Sequence, residues 1–216
     1  MIWKSGYRML QICIVCVCLG LMGCTTRFDE ISEITSPVQL DRKIQLVTVS
    51  PVAKEQVKAV VFVFLEPVLK DQSPEVVSTY KTSGALSNAA MTSFADRAID
   101  FFKVNGVNAE YVIKVNPGLE ASKVVSQWAL RGFHALVFAP AGGKLVTKGG
   151  VPYSAKTNYK VVLYGLKVQP MMEFEDGFST LMYTRSYNDT ILAGWMNTLA
   201  GNGYVTLPHT PLKQPI

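Results

Sequence analysis

One unbroken apolar run, Ala59 to Leu65, limits the folds open to this chain more than any other feature. Its residues are Ala-Val-Val-Phe-Val-Phe-Leu, which are mostly β-branched or aromatic. A strand with one face in water alternates apolar and polar residues, whereas a strand covered on both faces is apolar throughout. The run therefore predicts a central strand that is covered on both faces.

The segments that follow alternate between helix and strand patterns, after a polar stretch at 70–84 that we predict to be a loop. The clearest helix is at 87–105, with Ser87 as a candidate N-cap and Asn105-Gly106 as a stop. Its apolar residues recur at helical spacing: Met91, Phe94, Ala95, Ala98, Phe101 and Phe102. The other elements predicted before Gly142 are strands at 44–49, 109–115 and 134–139 and a helix at 120–131.

From Gly142 onward the pattern changes to strand-like runs at 144–148, 158–168 and 178–187. Gly149-Gly150 and Asp176-Gly177 separate these runs, as expected for turns. Asn188 or Asp189 then begins a last helix, with Ile191, Leu192, Trp195, Met196 and Leu199 inward. The whole pattern predicts an α/β fold with an α+β tendency. We expect a mixed sheet with two to three helices, β-α-β-α-β followed by an antiparallel meander and a C-terminal helix.

The N-terminus has the parts of a secretory signal. Lys4 and Arg8 supply positive charge, a mostly apolar run follows at 9–22, and the small residue Gly23 directly precedes Cys24. The alternative is an uncleaved N-terminal anchor helix, but the apolar run is short for a membrane span. We predict a signal peptide at 1–23, a lipidated flexible tether at 24–42 with a short helical piece at 29–34, one α/β domain at 43–207 and an irregular proline-rich tail at 208–216.

Leu21-Met22-Gly23-Cys24 resembles the lipobox of bacterial lipoproteins. The resemblance implies cleavage before Cys24, a diacylglycerol on its thiol and a further acyl chain, such as palmitate, on its amino group. Thr25 stands where an aspartate tends to retain lipoproteins at the inner membrane. The resemblance therefore implies a protein anchored in the outer membrane that faces the periplasm. At about 0.8 kcal/mol per buried CH₂, two or three acyl chains make such an anchor stable.

Cysteine usage agrees with this interpretation. Cys13, Cys16 and Cys18 lie in the predicted signal, and Cys24 is the acylated residue. Removal of 23 of the 216 residues leaves a mature chain of 193 with no free thiol. Its length suits one domain with a tether. Cysteine nucleophiles, cysteine zinc sites and iron–sulfur clusters are excluded from that domain.

A second resemblance concerns the domain. Trp128-x-x-x-Gly132-x-x-Ala135-Leu136-Val137, followed by Tyr159-Lys160-Val161-Val162-Leu163-Tyr164, resembles the α/β domain of periplasmic assembly lipoproteins. These include the penicillin-binding-protein activators, the curli secretion lipoprotein and the TolB N-terminal domain. The resemblance implies an interaction domain rather than an enzyme, and no functional residue is carried over from it.

Charge is unevenly distributed. No acid occurs between Ala121 and Met172, a span with seven positive residues: Lys123, Arg131, Lys144, Lys148, Lys156, Lys160 and Lys167. One interpretation is lysines that discourage edge-to-edge pairing of strands. The other is a contact, at Lys144, Lys148, Lys156 and Lys160, with an anionic partner such as phospholipid head groups, lipopolysaccharide, peptidoglycan carboxylates or an acidic protein. The mature chain keeps 19 of its 21 basic residues against 16 acidic ones, too small an excess to predict nucleic-acid binding.

Candidate chemistry is sparse. His134 opens an apolar strand, where we expect a core or edge residue, and His209 lies in the proline-rich tail. Gly142-Gly143-Lys144-Leu145 lacks the spacing and the hydroxyl of a phosphate loop. Glu173, Glu175 and Asp176 crowd a predicted loop that could gather calcium, but EF-hand spacing is missing.

Two function classes remain. The first is a non-enzymatic interaction or assembly factor of the cell envelope, with no catalytic residue, metal or cofactor, whose partners are the membrane and another envelope protein or an anionic envelope polymer. The second is a periplasmic hydrolase or ligand-binding lipoprotein whose site the sequence does not reveal.

Overall fold

The computed structural model describes residues 28–33, 44–49, 54–70, 72–148, 151–179 and 185–207. Within these ranges the chain forms a seven-stranded mixed sheet and three helices, which confirms the predicted fold class. The strands are β1 (Phe28–Glu33), β2 (Gln45–Val49), β3 (Ala59–Leu65), β4 (Asn108–Val115), β5 (His134–Lys148), β6 (Val151–Tyr164) and β7 (Pro170–Ser179). The helices are α1 (Pro74–Val104), α2 (Leu119–Leu130) and α3 (Arg185–Gly201). The predicted signal peptide, Cys24 and the proline-rich tail lie outside the described residues.

The strand order is β2-β7-β6-β5-β3-β4, and β1 also pairs with β5. β3 is parallel to β4 on one side and to β5 on the other, while β5, β6, β7 and β2 are antiparallel neighbours. The crossover through α1 leads from β3 outward to β4, and the crossover through α2 leads in the opposite direction, from β4 back across β3 to β5. Because such crossovers are right-handed, the two helices cover opposite faces.

The alternation of β3 shows both faces directly. Val60, Phe62 and Phe64 belong to the larger core, with residues of α1 and α3. Val61, Val63 and Leu65 belong to the smaller core, with residues of α2. Every one of these side chains is buried. The prediction of a strand covered on both faces is therefore confirmed.

Aromatic rings fill the centre of the larger core. The ring centroids of Phe62 and Phe102 lie 4.9 Å apart in an edge-to-face arrangement, and the ring of Trp195 lies 4.6 Å from that of Phe138. The five residues predicted to face inward from the last helix are all buried: Ile191, Leu192, Trp195, Met196 and Leu199. On α1 the prediction holds for Phe94, Ala95, Ala98 and Phe102, whereas Phe101 is only partly buried.

The first helix begins much earlier than predicted. α1 starts at Pro74, so the predicted loop at 70–84 is wrong from that residue onward, and Ser87 lies inside the helix. Ser73 is the N-cap, and its hydroxyl accepts a 3.3 Å hydrogen bond from the backbone N–H of Val76. Proline at the first helical position and Glu75 in the first turn both suit a helix start. The predicted stop at Asn105-Gly106 is confirmed, with Gly106 at φ +82°.

The turn between β6 and β7 does not lie at Asp176-Gly177, where the sequence predicts one. β6 ends at Tyr164 rather than at Val168, and the chain turns at 165–169. Asp176-Gly177 lies inside β7, in register with Tyr159 and Asn158 of β6. A Cβ on Gly177 would lie 2.6 Å from Oδ1 of Asn158, so this glycine serves close strand packing rather than a turn.

The last helix also starts earlier than predicted. Residues 185–187 are the first residues of α3 and not the end of a strand, and neither Asn188 nor Asp189 is its N-cap. Both residues are used within the fold instead. Asn188 is buried, and the carboxylate of Asp189 pairs with Arg97 on α1.

The segment predicted as a short helical piece is a strand. β1 occupies 28–33 and runs parallel to the far half of β5, with Phe28 opposite Gly143 and Glu33 opposite Thr147. β6 pairs with one side of β5, and β3 pairs with the first half of the other side. β1 therefore pairs with β5 on the same side as β3, beyond the point where β3 ends. The N-terminal segment therefore reaches the sheet within a few residues of Cys24.

Candidate interaction surface

The four lysines of the predicted anionic contact lie on the hairpin formed by β5 and β6. Lys144 and Lys156 are register partners, Lys148 is paired with Val151, and Lys160 is paired with Ala139. Two shifts in this ladder skip one residue each, at position 141 of β5 and position 153 of β6, and neither falls between two of the lysines on the same strand. Strand residues alternate between faces, so all four positions fall on one face of the hairpin.

Acidic residues from outside the acid-free span lie next to two of these positions. Glu30 of β1 is the register partner of Lys144. Nζ of Lys160 lies 2.9 Å from Oε1 of Glu173, and Glu175 is the register partner of Lys160 on β7. A partly exposed pair such as Lys160–Glu173 contributes about 0–1 kcal/mol to stability. The positive charge of this face is therefore smaller than the sequence count indicates, and its contact with an anionic partner stays a prediction.

The carboxylates of the predicted calcium loop are strand residues. Glu173, Glu175 and Asp176 all belong to β7, which makes the loop interpretation wrong. Asp176 is buried on the α3 side of the sheet, where its Oδ2 accepts a 2.6 Å hydrogen bond from Nε1 of Trp195. Gly142-Gly143-Lys144-Leu145 likewise belongs to β5 and pairs with β6. Neither motif forms the exposed loop that its ligand would require.

His134 begins β5 and is buried, with 3% of its side chain exposed. Its Nε2 lies 3.3 Å from Oε2 of Glu55, an ion-pair distance but not a well-formed hydrogen bond. Glu55 also accepts hydrogen bonds from Nε2 of Gln169, at 2.9 Å, and from the backbone N–H of Leu166, at 3.1 Å. This cluster connects the segment before β3, the start of β5 and the turn between β6 and β7.

The electrostatics of this pair follow from burial and hydrogen bonding. Burial lowers the pKa of His134 below its ordinary value, although Glu55 and the carbonyl of Ala59 act in the opposite direction. Partial burial would raise the pKa of Glu55, but the hydrogen bonds from Leu166 and Gln169 and the nearby His134 lower it overall. His134 is therefore neutral and Glu55 ionised at pH 7. The sequence indicated a buried position for His134 but not its partner, because Glu55 is distant in sequence and carries no motif.

Two further findings concern metals and membranes. Across the part of the chain that the structure describes, no three His, Cys, Asp or Glu residues come together in a way that could hold a metal ion. Of the three helices described, none is both long and apolar enough to cross a bilayer.

Comparisons with known proteins give no match in sequence and weak likenesses in structure. No protein-family model matches the chain, and no curated protein matches its sequence significantly. Among solved structures, the PelC dodecamer from Paraburkholderia phytofirmans is similar at 8% identity and a TM-score of 0.37, over 71% of this chain and 94% of that one. A variant PelC dodecamer from the same organism gives 9% identity and a TM-score of 0.37, over 73% and 97% of the two chains. Similarity at this level transfers neither fold nor function.

Proposed function

We propose that this chain is a bacterial lipoprotein, held in the outer membrane by acyl chains on Cys24 and facing the periplasm. Its α/β domain then acts as a non-enzymatic interaction or assembly factor of the cell envelope. The observation that carries the proposal is Leu21-Met22-Gly23-Cys24 at the end of a basic and then apolar N-terminus. The absence of any other cysteine after residue 23 supports it, because the mature domain then needs no thiol chemistry.

Lipidation is tested by mass spectrometry of the protein purified from membranes. The expected N-terminal peptide begins at Cys24 and carries a diacylglycerol and one further acyl chain. Cys24→Ala should remove the lipid and the protein should leave the outer-membrane fraction. Cys18→Ala is the matched control, since it changes a cysteine of the signal and should be processed normally. Recovery of a peptide that still contains residues 1–23 would instead support the anchor helix.

The interaction role is tested by crosslinking in intact cells, followed by purification of the wild-type protein from membranes. An envelope protein or an anionic envelope polymer should be recovered with the wild type. The same partner should be lost with Cys24→Ala, because the domain would no longer be held at the membrane. Turnover of an envelope substrate by the purified protein would favour the hydrolase alternative.

A further inference from the structure

We infer that β1 holds the domain directly against the head-group layer of the membrane, with the β5–β6 hairpin on the membrane side. This inference rests on the proposed lipidation of Cys24. A short connection through β1 then takes the place of the predicted flexible tether. As a random coil, that tether of about 18 residues would hold the domain roughly 25 Å from the membrane.

The first step is the length of chain between the anchor and the sheet. Cys24 lies four residues before Phe28, the first residue of β1. Four residues span at most about 14 Å when fully extended. Phe28 is the register partner of Gly143, and neighbouring strands lie about 4.8 Å apart. The acylated cysteine is therefore within about 19 Å of Gly143.

The second step is the size of the domain along β5. The strand begins at His134, nine residues before Gly143, so the end of the domain near His134 lies about 30 Å from Gly143. α2 ends four residues before His134, at Leu130, and thus belongs to this far end. The anchor at Cys24 therefore lies nearer to the hairpin half of the sheet than to the far end, which favours an orientation with the hairpin at the membrane and the far end towards the periplasm.

The third step is the chemistry of the half that meets the membrane. Lys144, Lys148 and Lys156 occupy one face of this hairpin, and β1 beside them carries Asp29, Glu30 and Glu33. These groups carry both signs of charge, as phospholipid head groups do. The acyl anchor holds such a surface at high effective concentration, so the contact does not depend on a strong net attraction. The partner of this surface is accordingly the head-group layer itself.

Energy transfer from the protein to the membrane tests the orientation. The acylated full-length protein is reconstituted in phosphatidylethanolamine–phosphatidylglycerol vesicles that contain an acceptor-labelled lipid. Because Cys24 is acylated, a thiol-reactive donor labels only an added cysteine, at Lys144→Cys on the hairpin or Leu130→Cys at the far end. We expect efficient transfer from position 144 and transfer near background from position 130. Lys148→Cys is the second hairpin variant if the first does not fold.

A lengthened linker provides the matched control. Fifteen Gly/Ser residues inserted after Thr26 add roughly 20 Å of flexible reach without changing Cys24 or β1. Transfer from position 144 should then fall towards that from position 130. Equal transfer from the two positions in the protein without the insertion would overturn the inference while leaving the anchor intact. Failure of the protein to bind vesicles at all would overturn the proposed lipidation, and the inference with it.

Discussion

Nε1 of Trp195 donates a 2.6 Å hydrogen bond to Oδ2 of Asp176, and both side chains are buried. Trp195 belongs to α3 and Asp176 to β7, so the bond fixes the C-terminal helix to the meander. A carboxylate out of contact with water is unfavourable unless it is hydrogen-bonded. This bond is therefore one reason why Asp176 is found within a strand, where its position in the sequence suggested a turn.

Trp195→Phe should destabilise the domain through loss of this bond. A hydrogen bond to a charged group contributes about 1.5–3 kcal/mol, and the smaller ring also leaves space in the core. The free energy of unfolding in urea measures the effect. Trp128→Phe is the matched control, because that indole is only partly buried and is in contact with the guanidinium of Arg131. Equal losses in the two variants would show that the Asp176 bond contributes nothing.

Phe62→Ala should cost about 3–5 kcal/mol, since it removes a fully buried ring from the centre of the larger core. The helical spacing predicts Phe101 on the same apolar stripe as Phe102, but the structure places Phe102 against Phe62 and leaves Phe101 partly buried. We therefore expect Phe102→Ala to resemble Phe62→Ala and Phe101→Ala to be milder. Thermal unfolding provides the comparison, with the exposed Val104→Ala as control. A Phe62→Ala variant as stable as the wild type would show that β3 is not central.

The parts of the fold that were predictable from sequence are those set by local pattern. The apolar run of β3 and the buried stripe of α3 depend on periodicity alone. The start of α1 had a local signal too, Ser73-Pro74-Glu75, but the polar residues after it favoured a loop. The sequence predicts a turn at Asp176-Gly177, but a hydrogen bond from Trp195 and close approach by Asn158 hold these residues within a strand. Such contacts join residues that are far apart in the chain and have no local pattern.

The candidate surface was only partly predictable, for the same reason. The lysines at 144, 148, 156 and 160 share a hairpin, as strand periodicity suggested. The acids beside them come from β1 and β7, outside the acid-free span. The bidentate pair between Arg97 and Asp189, at 2.7 and 2.9 Å, likewise joins two helices across 92 residues. Charge counted along a sequence does not include partners that the fold supplies.

His134 should make stability fall as the pH decreases below about 6.5. Burial lowers the folded-state pKa of His134, so the unfolded chain takes up the proton first. The contribution of His134 to the free energy of unfolding is fully present above the pKa of the unfolded chain. It is lost as the pH falls from that value to the lower pKa of the folded protein, by at most about 1.4 kcal/mol per pH unit. Urea unfolding between pH 7 and pH 5 measures this slope. That range lies above 4.5, the ordinary pKa of Glu55, whose own pKa is lower in the folded protein.

Substitution at the two histidines separates the contribution of His134 to the pH dependence from the contributions of other titratable groups. His134→Gln should flatten the pH dependence of the unfolding free energy between pH 7 and pH 5, whatever its effect on stability at pH 7. His209→Gln is the matched control and should leave the slope unchanged. A slope that survives in His134→Gln would assign the pH dependence to other groups.

The lysine face of the hairpin should bind anionic membranes weakly even without the anchor. Near an anionic surface each lysine contributes about 1 kcal/mol of attraction. We expect the soluble Cys24→Ala protein, produced without residues 1–23, to bind phosphatidylglycerol vesicles at low salt. Release should follow as salt is raised, because the screening length is only about 8 Å at physiological ionic strength. Vesicle sedimentation over a salt series measures both.

Charge reversal identifies the surface responsible. Reversal of Lys144, Lys148, Lys156 and Lys160 to Glu should abolish vesicle binding. The matched control reverses four exposed lysines elsewhere, Lys58, Lys70, Lys103 and Lys123, and makes the same change in net charge. Equal loss of binding in the two quadruple variants would show that net charge, and not the hairpin face, attracts the membrane.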